Sequence, residues 1–165
     1  MPIETTTNTV TPATLCHYTR GPLVVPQLRL RDTAGVISEL SHALQRDGCV
    51  PDVLPFYHTA LNRELMANSA VECGIALPHA RLSGVKRLQF AFGRTPQPIM
   101  WGAKSPWPVD LIFLLAVPAT DAASYLHLLA SLARLGHQHE LLTELRQASN
   151  TEAILSVLER IRLRV

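Results

Sequence analysis

The feature that most constrains the fold is a nearly unbroken apolar run, Val109–Val117, in which Asp110 alone is polar. A strand with one face in water alternates apolar and polar residues, whereas a strand covered on both faces is apolar throughout. The run is far shorter than the roughly 20 apolar residues that a membrane-spanning helix needs, and Pro118 ends it. It therefore predicts the central strand of a sheet with other elements packed on both sides.

Helical patterns occur both before and after this strand. Helices are predicted to begin at Asp32 or Thr33, after Pro51-Asp52, at Asp121, at His139 and at Asn150 or Thr151. The second of these has a predicted buried stripe of Val53, Leu54, Tyr57, Leu61 and Leu65. Further strands are predicted over Val24–Leu30, at a sheet edge, and over Val85–Phe92, while Ile99–Trp101 is ambiguous. This order predicts an α/β fold, a three-layer α/β/α sandwich with a mixed central sheet.

Length and composition predict one globular domain. The chain has 165 residues, of which 47% are hydrophobic and 17% are charged, which is too apolar for a disordered protein. Residues 1–14 are rich in Thr and Pro and show no periodicity, so they are predicted to be a mobile tail. The domain is then expected to span residues 15–165.

The net charge limits the class of binding partner, and the number and spacing of the cysteines indicate the redox compartment. The formal charge is 15 − 13 = +2, too small an excess to indicate a nucleic-acid-binding protein. No basic segment followed by an apolar core marks a secretory signal, and no stretch predicts membrane insertion. Cys16, Cys49 and Cys73 are odd in number and widely spaced, which favours free thiols in a reducing cytoplasm.

The common catalytic motifs are absent from the sequence. No GxGxxG or GxxxxGK[ST] loop indicates a nucleotide site, and neither HExxH nor GxSxG occurs. His137 and His139 are a weak alternative as metal ligands, because two histidines alone do not make a complete ligand set. We therefore expect neither a metal nor a cofactor.

His79 has the most distinctive local setting of the seven histidines. It follows Pro78, whose fixed φ stiffens the approach, and Arg81 lies two residues further on. These residues present an imidazole at a junction of strand and loop with a guanidinium nearby. Taken alone, the pattern leaves open a purely structural histidine.

Four blocks of sequence together resemble the IIA domain of the phosphoenolpyruvate-dependent sugar phosphotransferase system, mannitol/fructose type, and most closely its nitrogen-regulatory subgroup. The blocks are Arg63-Glu64 followed by Glu72–Arg81 with its Gly-Ile-Ala-Leu-Pro-His-Ala core, then Pro108–Pro118, Leu126–Leu132 and Leu145–Ser149. The resemblance implies a phosphoryl carrier. Such a protein accepts a phosphoryl group on a histidine from a histidine phosphocarrier protein and passes it to a IIB-type domain, without binding the sugar.

Carried over residue by residue, the resemblance assigns the acceptor to His79 and the phosphate-side arginine to Arg63. Arg81 and Ser69 are further candidates for binding the phosphoryl group. Tyr125 stands where the family has a second histidine, and His127, two residues on, lies about 200° further around a helix. The residues alone leave open that Tyr125 is a core aromatic. The resemblance implies that its phenol faces His79, and we then expect transfer to be slower than with a histidine.

A rival interpretation assigns the chain the same fold but no phosphoryl transfer. A non-catalytic regulatory module of this kind would bind a kinase, a transporter or a transcription regulator. The substitution at Tyr125 favours it, because a phenol cannot take up positive charge as an imidazole can.

Overall fold

The apolar run is the central strand of a five-stranded mixed sheet in the computed structural model, which describes residues 13–102 and 105–163. The strands are β1 (Val24–Val25), β2 (Ile75–Ala76), β3 (His79–Leu82), β4 (Gln89–Met100) and β5 (Pro108–Pro118). The helices are α1 (Thr33–Arg46), α2 (Val53–Met66), α3 (Ala122–Leu135), α4 (His139–Gln147) and α5 (Thr151–Glu159). Two short 3-10 helices, Leu15–Tyr18 and Gly21–Leu23, precede β1. β5 pairs antiparallel with β4 and parallel with β2 and β3, and β1 pairs parallel with β4.

Side chains alternate along β5 between two hydrophobic clusters. Leu111, Phe113, Leu115 and Val117 pack in the cluster that contains the buried side chains of α3, α4 and α5. Ile112, Leu114 and Ala116 pack with the buried side chains of α1 and α2 on the other face. Both faces of β5 are therefore covered, and the predicted three-layer α/β/α sandwich is confirmed.

The strands adjoining β5 differ from the prediction at their ends. β2 and β3 keep the same register against β5 and are two halves of one edge strand, which is interrupted at Leu77-Pro78. The strand predicted over Val85–Phe92 begins only at Gln89, because Val85 closes a turn by donating its N–H to the Leu82 carbonyl. The ambiguous segment proves to be strand as far as Met100, beyond a register irregularity between Arg94 and Ile99.

All five predicted helix starts are confirmed, four of them with a capping hydrogen bond and the fifth, at His139, without one. Asp32, Asp52, Asp121 and Asn150 each accept from a backbone N–H of the first turn, at 2.8, 3.3, 3.2 and 2.9 Å respectively. The sequence allowed Asp32 or Thr33 as the cap of α1, and Asn150 or Thr151 as the cap of α5. In both helices the Asp or Asn side chain makes the capping hydrogen bond.

The predicted buried stripe of α2 is correct only in part. Tyr57 and Leu61 are partly buried and pack against the cluster that contains the buried side chains of α1. Leu54 and Leu65 are 60% and 69% exposed, and the buried positions are Phe56, Ala60 and Glu64. A stripe drawn through apolar residues alone could not include Glu64, whose carboxylate is buried because it accepts hydrogen bonds there.

The two ends of the described chain lie together. Ala13 and Thr14, which the tail prediction included, pair with residues 162 and 163, and residues 1–12 of that tail lie outside the described residues. The predicted edge strand is shorter than expected, with only Val24–Val25 on the ladder.

Cys16, Cys49 and Cys73 are all free thiols, and burial beside Glu159 raises the pKa of Cys16 to about 12. None of the described helices has the length and apolar character needed to span a membrane.

Candidate functional site

His79 is the first residue of β3, and its ring contacts the backbone in the break between β2 and β3. Nδ1 lies 3.4 Å from the carbonyl oxygen of Leu77. A carbonyl oxygen can only accept, so Nδ1 carries the hydrogen in the neutral ring. Nε2 therefore has the free electron pair and is the nucleophilic nitrogen.

Tyr125 projects from the first turns of α3 toward this nitrogen. Its hydroxyl oxygen is 3.2 Å from His79 Nε2, and the two ring centroids are 5.3 Å apart. Burial raises the pKa of Tyr125 while Arg63 opposes the rise, so the phenol keeps its proton and donates to Nε2. The expectation that Tyr125 faces His79 thus agrees with this geometry, whereas His127 is exposed on the same helix.

Arg63 lies in the last turn of α2 with an exposed side chain. Within residues 13–102 and 105–163 its guanidinium makes no hydrogen bond or ion pair. Its charge nevertheless acts on both rings of the site. Burial lowers the pKa of His79, the hydrogen bond to Leu77 opposes that change, and Arg63 lowers the pKa further. The site therefore combines a neutral nucleophilic ring with a nearby cation that is free to bind an anion.

Arg81 and Ser69 are placed differently from Arg63. The Arg81 guanidinium donates twice to the carbonyl oxygen of Ala119, once at 3.1 Å, so it is bound to the loop after β5. The Ser69 hydroxyl accepts from the Leu77 N–H at 2.8 Å and donates to Glu64 at 3.1 Å. Ser69 therefore contacts the segment that leads to His79, and the described contacts do not join it to the imidazole itself.

Glu64 is the residue of this region that sequence reasoning missed. It is 5% exposed, and one of its oxygens accepts from the Trp101 indole and from the backbone N–H of Ser69. The only sequence signal was its place beside Arg63, because hydrophobic periodicity does not mark a buried acid.

His137 and His139, the weak metal candidates, lie in the turn after α3 and at the start of α4. Across the described part of the chain, no group of three His, Cys, Asp or Glu side chains is arranged to hold a metal ion.

Taken together, the described side chains offer a nucleophilic nitrogen, a hydroxyl donor beside it and an unpaired guanidinium. An anionic, electrophilic group could bind here, since the cation and the hydroxyl would both stabilise its oxygens. Phosphoryl groups have this character, and their transfer requires mainly positioning and charge neutralisation.

Comparison with known proteins points to one family. The family model described as the phosphoenolpyruvate-dependent sugar phosphotransferase system, EIIA 2, matches residues 19–161. A nitrogen regulatory protein of Bradyrhizobium diazoefficiens is 31% identical over 140 residues, which are 82% of this chain and 88% of that protein.

Solved structures agree with this result. The nitrogen regulatory protein IIA-Ntr of Neisseria meningitidis superposes with a TM-score of 0.69 and 26% identity, over 84% of this chain and 94% of that one. Mannitol enzyme IIA of Escherichia coli, in its complex with phosphorylated enzyme IIB, superposes with a TM-score of 0.72 over 85% of this chain and 96% of that one. Its identity is 15%, so this second likeness shows the fold alone.

Proposed function

The chain belongs to the EIIA 2 family of the phosphoenolpyruvate-dependent sugar phosphotransferase system, and from this premise we propose that it carries a phosphoryl group on Nε2 of His79. The observation that carries the proposal is the orientation of the ring. Nδ1 faces a carbonyl oxygen, and Nε2 accepts from the Tyr125 hydroxyl, which can donate to a phosphoryl oxygen instead.

The transfer step needs no separate base. The electron pair of Nε2 forms the new N–P bond. The N–P bond of the donor phosphohistidine breaks, and the donor imidazole leaves with the electron pair of the broken bond. Nδ1 keeps its proton throughout, and the Leu77 carbonyl stabilises the positive charge that the ring gains. The Tyr125 hydroxyl occupies the side of Nε2 to which phosphorus must bond, so it moves aside and donates to a phosphoryl oxygen.

The partners in this proposal are proteins. A histidine phosphocarrier protein supplies the phosphoryl group, and a IIB-type domain or a regulatory target accepts it. Exposed apolar side chains follow the site residues along both helices, Leu65 and Met66 after Arg63 and Leu126 after Tyr125, at 69%, 89% and 58% exposure. Such side chains suit a transient docking surface around a reactive centre.

A direct experiment is to mix the purified chain with phosphoenolpyruvate, the general phosphotransferase enzyme and the phosphocarrier protein, and to measure its intact mass. We expect a gain of one phosphoryl group, which disappears again when an accepting IIB domain is added. An unchanged mass, while the phosphocarrier protein in the same mixture is phosphorylated, would contradict the proposal.

A regulatory module is the second candidate, and one observation favours it. Tyr125 donates to Nε2 as a neutral phenol, and a neutral donor stabilises a phosphoryl dianion less than an imidazolium does. The relative from Bradyrhizobium diazoefficiens is also named a nitrogen regulatory protein. If the chain is such a regulatory module, it binds its target equally well with and without the phosphoenolpyruvate, general enzyme and phosphocarrier protein of the first experiment, and its mass stays unchanged.

The hydroxyl of Tyr125 should contribute modestly to the transfer rate. Tyr125→Phe removes one neutral hydrogen bond, and we expect a loss of about tenfold at most in the rate of phosphorylation. Tyr125→His should instead increase the rate, because a protonated imidazole can share its charge with the phosphoryl oxygens. Initial rates with the phosphocarrier protein as donor measure both effects.

Tyr18→Phe is the matched control, since Tyr18 is also half-buried and lies in the first 3-10 helix, without contact to His79. A rate for Tyr125→Phe equal to those of the wild type and of Tyr18→Phe would remove the hydroxyl from the mechanism.

The pH profile of phosphorylation should reflect the environment of His79. Burial lowers the pKa of His79 from 6.5, so the ring is neutral and nucleophilic down to pH 6.5 and loses activity only below it. In Arg63→Ala, which lacks the cation that lowers this pKa further, the acid limb should move to higher pH. NMR titration of the His79 ring checks the assignment, and a midpoint above 6.5 in the wild-type chain would contradict it.

A further inference from the structure

A continuous set of hydrogen bonds joins the buried ring of Trp101 to the ring of His79. Trp101 Nε1 donates to Glu64 Oε1 at 2.5 Å, and the Ser69 hydroxyl donates to the same oxygen at 3.1 Å. The backbone N–H of Leu77 donates to the Ser69 hydroxyl oxygen at 2.8 Å, and the carbonyl oxygen of Leu77 faces His79 Nδ1. The set reaches His79 through Leu77, so no member other than Leu77 touches the imidazole.

Leu77 needs this support because it lies in the break between β2 and β3. Its side chain is 6% exposed, and its N–H is not part of the ladder with β5. The next residue, Pro78, has no N–H and restricts Leu77 to extended backbone. Ser69 therefore provides the partner that a buried backbone N–H requires, and it holds Leu77 in the orientation that aims its carbonyl at His79.

Glu64 determines the direction of the Ser69 hydrogen bond. Because the hydroxyl hydrogen is directed to Glu64, the oxygen lone pairs face Leu77 and accept its N–H. Without the carboxylate the indole of Trp101, which is fully buried, and the N–H of Ser69 would both lose their acceptor. Such orphaned donors are costly in a protein interior, so the hydrogen bonds favour a single arrangement.

We propose that Glu64 and Ser69 are positioning residues that hold the Leu77 carbonyl against His79 Nδ1 and thereby select Nε2 as the phosphoryl acceptor. The phosphoryl part of this inference rests on the proposed function. The tautomer of the unphosphorylated ring does not, since it depends only on the hydrogen bonds described above.

The test compares Ser69→Ala with Ser69→Thr, which keeps a hydroxyl. Long-range proton–nitrogen NMR reads the tautomer of neutral His79, and intact mass follows phosphorylation by the phosphocarrier protein. We expect Ser69→Ala to convert a single Nδ1–H tautomer into a mixture and to slow phosphorylation about tenfold, the effect of one buried hydrogen bond. Ser69→Thr should restore both. If Ser69→Ala fails to fold, Ser69→Val, matched in shape to Ser69→Thr, replaces it.

Ser41→Ala is the matched control, because it also removes a buried serine hydroxyl, one that donates to the Ile37 carbonyl within α1 at 2.6 Å. It should change neither the tautomer nor the rate. A His79 tautomer that is the same in wild type and Ser69→Ala would overturn the inference, whatever the rates. A tautomer change in a chain whose wild type never accepts a phosphoryl group would support the positioning role and reject the proposed function.

Discussion

His79→Ala should accept no phosphoryl group from the phosphocarrier protein, even after prolonged incubation. The substitution removes the nucleophilic nitrogen itself, and the described side chain that contacts the ring, Tyr125, offers no nitrogen in its place. Tyr125, which contacts the ring, cannot substitute, because burial raises the pKa of its phenol and keeps it protonated. Intact mass spectrometry measures the result, and thermal unfolding confirms that the variant is folded.

His127→Ala is the matched control for this loss. His127 lies on α3 two residues beyond Tyr125 and is exposed, so its removal should leave phosphorylation unchanged. Stoichiometric phosphorylation of His79→Ala would show that the acceptor is elsewhere and would end the assignment.

Arg63→Ala should slow phosphorylation by about 100-fold, the loss typical of removing one group that stabilises developing charge. The guanidinium is exposed and unpaired among the described residues, so the free energy of unfolding should change little. Arg63→Lys should recover part of the rate, because an ammonium keeps the charge but lacks the planar pair of donors that matches phosphoryl oxygens. Initial transfer rates and thermal unfolding of both variants measure these effects.

Arg46→Ala controls for the change in net charge. Arg46 is also exposed and lies in the last turn of α1, the helix beside α2. Its removal should leave the rate within a factor of about two, a difference of a few tenths of a kcal/mol. If Arg63→Ala is no slower than Arg46→Ala, Arg63 has no part in the transfer.

The layered fold could be predicted because its determinants are local and strongly patterned. A strand covered on both faces has to be almost entirely apolar, and Val109–Val117 meets that demand at every position but Asp110. Helix starts were equally readable, since Asp32 and Asp121 accept hydrogen bonds within their own first turns. Each of these features depends on a few neighbouring residues, which one sequence displays directly.

The features that were missed depend on contacts between distant segments. The burial of Glu64 depends in part on Trp101, 37 positions away, which donates its indole N–H to the carboxylate. The extent of β4 was hidden by Pro96 and Pro98, which interrupt the strand pattern but fall in the stretch where the register with β5 shifts. Propensity along the chain carries no information about either contact.

The sequence indicated which residues belong to the candidate site better than it indicated the contacts that they make. The resemblance brought together His79, Arg63 and Tyr125, and the structure places the hydroxyl of Tyr125 within hydrogen-bond distance of the imidazole. Sequence spacing could not distinguish the two arginines that were considered. The Arg81 guanidinium donates to the carbonyl oxygen of Ala119 in the loop after β5, whereas that of Arg63 has no partner among the residues that the structure describes.

The most direct test of the account is to locate the phosphoryl group on the ring. The wild-type chain, labelled with nitrogen-15 and phosphorylated by the phosphocarrier protein, is examined by long-range proton–nitrogen and phosphorus NMR. The account predicts a single phosphoryl group bonded to Nε2 of His79, with Nδ1 still protonated. A phosphoryl group on Nδ1 or on another residue, or none at all, would contradict it.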